Sequence, residues 1–460
     1  MKLLLFLFPL LSVALQAKIK IACVGDSITF GAGVKNRQQL CYPAQLGNLL
    51  GDEYHVENFG ISARTMLAKG DYPYSKEKVY QKSLKFLPNI VLIKLGTNDS
   101  KPQNWSFKAD YITDTLALVK SYRKLPSAPR VILCKPVPVV KTKWGISEKI
   151  VRGEIAKQLE QVAYENEIEL IDLHPILIDQ KQHFPDGVHP NAKGATIIAS
   201  HIHRYLTTPR ETPSEMNIEG KVINFHGFPC KNFKHEGLNM KIAAPKIAAK
   251  GKPWIWRARF WGHQPQFDIT MLELGWHIVY CDVAGLFGAP KAMERWDKAY
   301  AYTQQLGLHP KPVLEGMSRG GLPIHHWAVN YPSRTGGIIG DNCVMDFKSW
   351  PAGWNKGKGS EKTWLQCKRA YKFKSDEEAK AYPSNPVDTI GKISENNIPI
   401  LYLVADNDKV VPHDENSAKA AATIKGYSKL KVIHKPGLAH HPHALPNPAP
   451  IVEFALECHR

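Results

Sequence analysis

The sequence predicts two α/β domains in tandem, each a mostly parallel sheet covered by helices. Three observations carry this. The chain has 460 residues, too many for one ordinary domain and suited to two. Short apolar runs rich in branched residues alternate with helical patterns through both halves. Between the halves, residues 207–217 are polar, carry Pro209 and Pro213 and show no periodicity, which reads as a linker.

In the first half, the strand candidates are 20–24, 90–95, 131–134 and 169–172. Residues 108–124 and 148–165 carry apolar residues at helical spacing. In the second half, strands are expected at 222–225, 254–257, 278–283, 312–315, 337–340, 398–404 and 430–434. Residues 349–392 are polar and irregular, and a long surface loop is the expectation there, with a lid as the alternative. The domains are thus read as 18–206 and 218–460.

Composition sets bounds. Hydrophobic content of 43% and charged content of 22% belong to globular protein. One Lys precedes an apolar run from Leu3 to Leu11, and small residues follow at Ser12, Ala14 and Ala17. This is the layout of a cleaved secretory leader over 1–17, shorter than a membrane span. An exported, periplasmic or secreted protein without stable membrane insertion is the expectation. Eight Cys are widely spaced with no C-x-x-C pair, so neither a zinc site nor a redox motif is indicated. Most are expected to be small buried hydrophobes. The net charge of +18 is spread along the chain, with no nucleic-acid motif. It is compatible with an acidic polysaccharide as ligand.

The first candidate centre begins where the first strand ends, at Gly25-Asp26-Ser27. A Ser just past a strand end is exposed at the rim of a parallel sheet, where open α/β folds place their sites. It needs a base, and Asp186-Gly187-Val188-His189 supplies one, with the Asp able to fix the imidazole tautomer. Asn58-Phe59-Gly60-Ile61-Ser62 and Gly96-Thr97-Asn98-Asp99 are candidates for the oxyanion donors.

With these residues in view, 18–206 resembles the SGNH (GDSL-type) hydrolases along nearly its whole length. The resemblance implies a three-layer, flavodoxin-like α/β/α domain and a Ser27, Asp186 and His189 triad. It also implies an oxyanion hole from the Ser27 and Gly60 amides and the Asn98 side chain, and no metal or other cofactor. One departure is Ala63, where the family often carries Gly; it lies off those expected donors.

The second candidate centre is Gly316-Met317-Ser318-Arg319-Gly320, between a strand candidate and a helix candidate over 322–331. G-x-S-x-G in that context is a nucleophile elbow. Asp408 and His440 follow in the order Ser, Asp, His. Asp406 and Asp346 are weaker candidates for the acid, and His441 and His443 for the base. Region 218–460 resembles the α/β-hydrolase superfamily, nearest its esterase and prolyl-oligopeptidase-like branches. The Arg319 amide and an amide near Arg257–Arg259 are the expected oxyanion donors. Arg257 and Trp350 are expected to touch substrate. Trp254, Trp256, Trp261 and Trp350 stand either as a sugar-stacking surface or as core. The clustered His440, His441 and His443 offer poor tetrahedral geometry and no carboxylate or Cys partner, so no metal is expected.

The expected activity is hydrolysis of acetyl or related esters on an acetylated polysaccharide, neutral or acidic, at two serine centres. The elbow does not distinguish amide from ester. A peptidase, or a glycan-binding scaffold without catalysis, remains an alternative for the second half.

Overall fold

The computed structural model describes residues 17–211, 218 and 220–459. The expected leader lies outside them except for Ala17, as do residues 212–217 of the expected linker. Among the described residues no helix is long and apolar enough to cross a membrane.

The first sheet has five strands: β1 Ile19–Gly25, β2 Tyr54–Gly60, β3 Ile90–Lys94, β4 Arg130–Lys135 and β5 Glu169–Asp172. All pairings are parallel, in the order β2-β1-β3-β4-β5. Along β1, Ile21 and Cys23 enter one core and Ala22 and Val24 the other, so both faces are covered. Helices Tyr111–Arg123 and Ala156–Glu165 cover one face; Tyr42–Leu50 and Ala192–Thr207 cover the other. Strand order reverses between β1 and β3, and the crevice beyond their carboxyl ends is where such sheets bind ligands. β2 escaped the strand pattern in the sequence because it is a half-exposed edge: Tyr54, Val56 and Asn58 alternate with exposed His55 and Glu57. The helical pattern over 148–165 is one rod interrupted by a π-turn, Val151–Ile155.

The second sheet has nine strands: β6 Lys221–Phe225, β7 Phe228–His235, β8 Leu238–Ala243, β9 Trp254–Arg257, β10 His277–Cys281, β11 Val313–Met317, β12 Gly337–Asp341, β13 Ile400–Ala405 and β14 Leu430–Lys435. Their order is β14-β13-β12-β11-β9-β10-β8-β7-β6. The three strands from β6 to β8 run as an antiparallel meander, and β8 pairs antiparallel with β10; the rest are parallel. β7 and β8 were not expected. Their two-residue turns, His226-Gly227 and Glu236-Gly237, have positive φ at both positions, the geometry of hairpin turns that match strand twist. Neither has the Asn-Gly or Asp-Gly spelling that announces such a turn.

The core of the second half decides one open alternative and corrects one expectation. Trp254 and Trp256 are fully buried, and Trp256 stacks on Trp296 at 4.4 Å between ring centroids. They are core residues, not a sugar surface. Residues 349–392 are not a loop either. Helices Glu361–Tyr371 and Asp376–Lys380 lie within them and Pro386–Glu395 crosses their end, while Trp364, Cys367 and Ala379 join Phe287, Leu322, Val344, Phe347 and Val411 in one small core. The aromatics that made the stretch look irregular are what it packs around. Among the described residues every Cys is free, and all but Cys458 are buried.

The halves meet through polar contacts. Glu273 Oε1 accepts the Asp172 amide at 2.7 Å, Oε2 lies 3.5 Å from His201 Nε2, and the Glu273 carbonyl accepts from Arg210 Nη2 at 2.8 Å. Lys246 Nζ donates to the Ala163 carbonyl at 2.6 Å. Burial pushes the Glu273 carboxyl above its usual value, against the opposing pull of His201. An acid whose pKa is raised on folding stabilises the fold fully below its unfolded value and loses that contribution as pH rises through the folded one. A Glu273→Gln chain keeps the acceptor for the Asp172 amide. It is therefore expected to gain melting temperature relative to the parent as pH rises above 4.5. Parallel melting profiles across that range would refute this.

Candidate active sites

The first centre forms at the end of β1. Asp26 caps the short helix Ser27–Phe30, its Oδ1 accepting the Ile28 amide at 3.0 Å. Lys94, at the end of β3, reaches both Asp26 oxygens at 2.9 and 3.0 Å and donates to Thr97 Oγ1 at 2.8 Å. Both members of this pair are fully buried. Desolvation lowers the Lys94 pKa, with Asp26 opposing. The pair ties the turn bearing Ser27 to the turn bearing Asn98. Lys94 was missed because a Lys at a strand end reads as a surface residue. Gly25 allows the close approach: a Cβ there would lie 2.5 Å from the Lys94 carbonyl.

Ser27, His189 and Asp186 are brought together. His189 Nε2 lies 2.8 Å from Ser27 Oγ, and Nδ1 lies 2.7 Å from Asp186 Oδ2. Asp186 Oδ1 accepts the amides of Val188 and His189 at 2.9 and 2.8 Å. Partial burial works to raise the Asp186 pKa, but these amides and the imidazole outweigh it, so the carboxyl sits below its usual value. It stays ionised, as an imidazole-orienting acid must.

The oxyanion side departs from expectation. The Gly60 amide donates to Asn58 Oδ1 at 2.9 Å and is already committed. Position 60 needs glycine for another reason: a Cβ would lie 2.2 Å from the Phe30 nitrogen, so the residue marks where β2 presses on the helix after Ser27. Asn98 Nδ2 donates to the Arg64 carbonyl at 3.2 Å, and the Asn98 backbone carbonyl accepts from Asn104 Nδ2 at 2.9 Å. Ala63, immediately before Arg64, has left-handed backbone at φ 69°. That conformation is costly for a residue with a Cβ and is kept where function holds it. The turn at Ala63, set aside in the sequence, is the one that Asn98 grips.

The second centre forms at the end of β11. Ser318 has φ 49°, the strained backbone of a sharp strand-to-helix turn. Gly316 lets the turn close: a Cβ there would meet the Gly320 carbonyl at 2.6 Å. The helix that follows, Gly321–Asn330, stands where the sequence placed it. His440 Nε2 lies 3.0 Å from Ser318 Oγ, and Nδ1 lies 2.7 Å from Asp408 Oδ2. Asp408 Oδ1 accepts the Val410 and Val411 amides, both at 2.9 Å. The competing acids are elsewhere: Asp406 pairs with His434, and Asp346 accepts the Lys348 amide. Asn342, missed in the sequence, clamps the base loop. Its Nδ2 donates to the His440 carbonyl at 3.0 Å while its Oδ1 accepts the Ala405 amide at 2.8 Å. An Asn directly after a strand was the available signal.

A cavity of about 530 Å³ opens over Ser318, lined by Phe260, Trp261, Arg319, Trp350 and His440 among others. Trp350 thus stands where a substrate contact was expected. Arg257 does not. It is wholly buried, 2.6 Å from Asp268 and 3.3 Å from Glu315. It donates to the carbonyls of Phe260 and His263, and so holds the loop that lines the cavity. The Ala258 amide is spent on the Glu315 carbonyl, which leaves Arg259 and the residues after it as sources of a second oxyanion donor. His440, His441 and His443 bring ring nitrogens within 4.8 Å of one another, but His440 is engaged by Ser318 and Asp408.

Residues 23–197 match the model of the GDSL-like Lipase/Acylhydrolase family. Over 199 residues the chain is 41% identical to an acetylxylan esterase of Xylanibacter ruminicola; the match covers 39% of this chain and 42% of the relative. The chain thus spans about two fifths of that relative's length. Among solved structures, Est1E from Butyrivibrio proteoclasticus is similar at 17% identity and a TM-score of 0.37, over 50% of this chain and 98% of that one. An inhibitor-bound aryl esterase of M. smegmatis is similar at 21% identity and a TM-score of 0.35, over 41% of this chain and 98% of that one.

Proposed function

We propose that this chain, in which residues 23–197 form a GDSL-like lipase/acylhydrolase domain, is an exported serine ester hydrolase that removes acetyl groups from a polysaccharide at two centres. The observation that carries the reading is the pair of complete Ser–His–Asp relays, with Ser–His separations of 2.8 and 3.0 Å. The similarity to an acetylxylan esterase supports the substrate class. The apolar leader pattern supports export.

The chemistry is the same at both centres. Ser Oγ attacks the acyl carbon while His Nε2 takes the hydroxyl proton. The tetrahedral oxyanion is held by backbone and side-chain donors. At the first centre these are the Ser27 and Ala63 amides and Asn98 Nδ2. At the second they are the Arg319 amide and an amide from the loop after β9. The imidazolium returns its proton to the sugar oxygen as the ester C–O bond breaks. Water then loses a proton to the same His and attacks the acyl-enzyme. Acetate leaves, and the proton goes back to Ser Oγ. Asp186 and Asp408 hold the imidazoles in the required tautomer.

Acetate release from acetylxylan, measured for the parent and for Ser27→Ala, Ser318→Ala and double variants, tests the reading. Normal release by the double variant would end it. Asn98→Ala removes one donor and is expected to lower turnover at the first centre about 10²-fold with little change in KM. A change confined to KM would place Asn98 in substrate binding instead.

A further inference from the structure

The second centre carries a charge that its own chemistry does not use. Arg319 follows the nucleophile, and its side chain lines the catalytic cavity. Its guanidinium lies between two aromatic faces, 5.9 Å from the Phe260 centroid and 5.6 Å from that of Trp350. Arg259 lies against the same Phe260 ring at 5.0 Å, with its Nε buried and lacking a hydrogen-bond partner among the described residues. Burial, and then the nearness of Arg259, weaken the hold of Arg319 on its proton.

Among the described residues, no carboxylate pairs with either guanidinium. The contrast is two residues away, where Arg257 is matched by both Asp268 and Glu315. Placing two half-buried cations side by side costs free energy unless an anion meets them. The faces of Phe260 and Trp350 hold the Arg319 guanidinium in the cavity by cation–π attraction, where its fork can meet a planar oxyanion. The cavity, about 530 Å³, is also far larger than a small acyl group requires. A formal charge of +18 steers polyanions toward the chain as a whole.

We infer that the second centre takes acetyl esters on a sugar that itself carries an anionic oxo group, a uronate carboxylate, bound by Arg319 with Arg259 beside it. This rests on the reading of Ser318 as an esterase nucleophile and names the substrate class of that site. Ser318 attacks the acetyl carbon as above; the anion stays on the departing sugar and undergoes no reaction.

The test uses the full chain with Ser27→Ala, which silences the first centre. Acetate release is compared for three acetylated methyl glycosides: a glucuronoside, the neutral glucoside and the glucoside 6-sulfate. The glucuronoside is expected to show a kcat/KM about tenfold to a hundredfold above the neutral sugar. Adding Arg319→Met should bring that ratio close to one, Arg319→Lys should keep part of it, and Arg259→Met should lower it less. The ratio is the readout, so a general loss of activity through the Arg319 backbone or through folding cancels. A preference shared by the sulfate supports a general oxyanion site, and one confined to the glucuronoside supports a carboxylate site. A ratio near one before Arg319 is changed, or one untouched by Arg319→Met, overturns the inference. Hydrolysis of none of the three, with Ser318 unlabelled by a serine-directed phosphonate, would instead overturn the reading of the second centre as an esterase.

Discussion

A chain carrying Ser27→Ala should lose at least about 10³-fold in ester turnover at its first centre, and Ser318→Ala should do the same at the second. Neither Ser is replaceable by a neighbour, because each is the hydroxyl within 3.0 Å of its imidazole. The two losses should also be independent, since each triad is complete within its own half of the chain. Intact-mass measurement after a serine-directed phosphonate separates them. The parent should gain two adducts, each single variant one, and the double variant none. A parent that gains only one adduct would reduce the chain to a single working centre.

Arg257→Met is expected to destabilise the second half by about 3–5 kcal/mol, because it removes the cation that the buried acids Asp268 and Glu315 share. For a unit of this size that lowers the melting temperature on the order of 10 °C. Burial foremost, with help from Asp268 and Asp341 and against the pull of Arg257, already pushes Glu315 up to about 8. Removing Arg257 raises it further. The sign follows: an acid whose pKa is raised on folding contributes less stability as pH climbs. The deficit of Arg257→Met should therefore widen as pH rises through about 8, where the parent's Glu315 ionises and the variant's does not, in calorimetric scans. A pH-independent deficit would point to lost packing rather than lost charge. The loop bearing Phe260 and His263 also hangs from this guanidinium, so turnover at Ser318 should fall before the fold does.

Most of the two side-chain constellations was legible in the sequence because they sit at strand ends, where spacing and turn residues announce them. Ser27, Asp186 and His189, and Ser318, Asp408 and His440, were readable as types at positions. Two of the misreadings share a cause, which is that contacts from other parts of the chain decide them. Gly60 is glycine because the backbone of Phe30 presses on it, not because its amide serves an oxyanion. Arg257 looks like a cleft cation until Asp268 and Glu315 are seen around it. The hairpins at His226-Gly227 and Glu236-Gly237 are ordinary in geometry and unusual only in spelling. Residues 349–392 pack on an apolar centre shared with Phe287, Leu322, Phe347 and Val411, through aromatics too widely spaced to show a helical period.

The contact at Glu273 bears on modularity. One half supplies the carboxylate and the other the Asp172 amide and His201 that meet it. Cutting the chain between the sheets would leave an acid on a surface built to be covered, and an amide at the end of β5 without its acceptor. Domain shuffling that treats either half as a cassette would have to carry this socket along. The two centres are better engineered in place, within the intact chain, than transplanted one at a time.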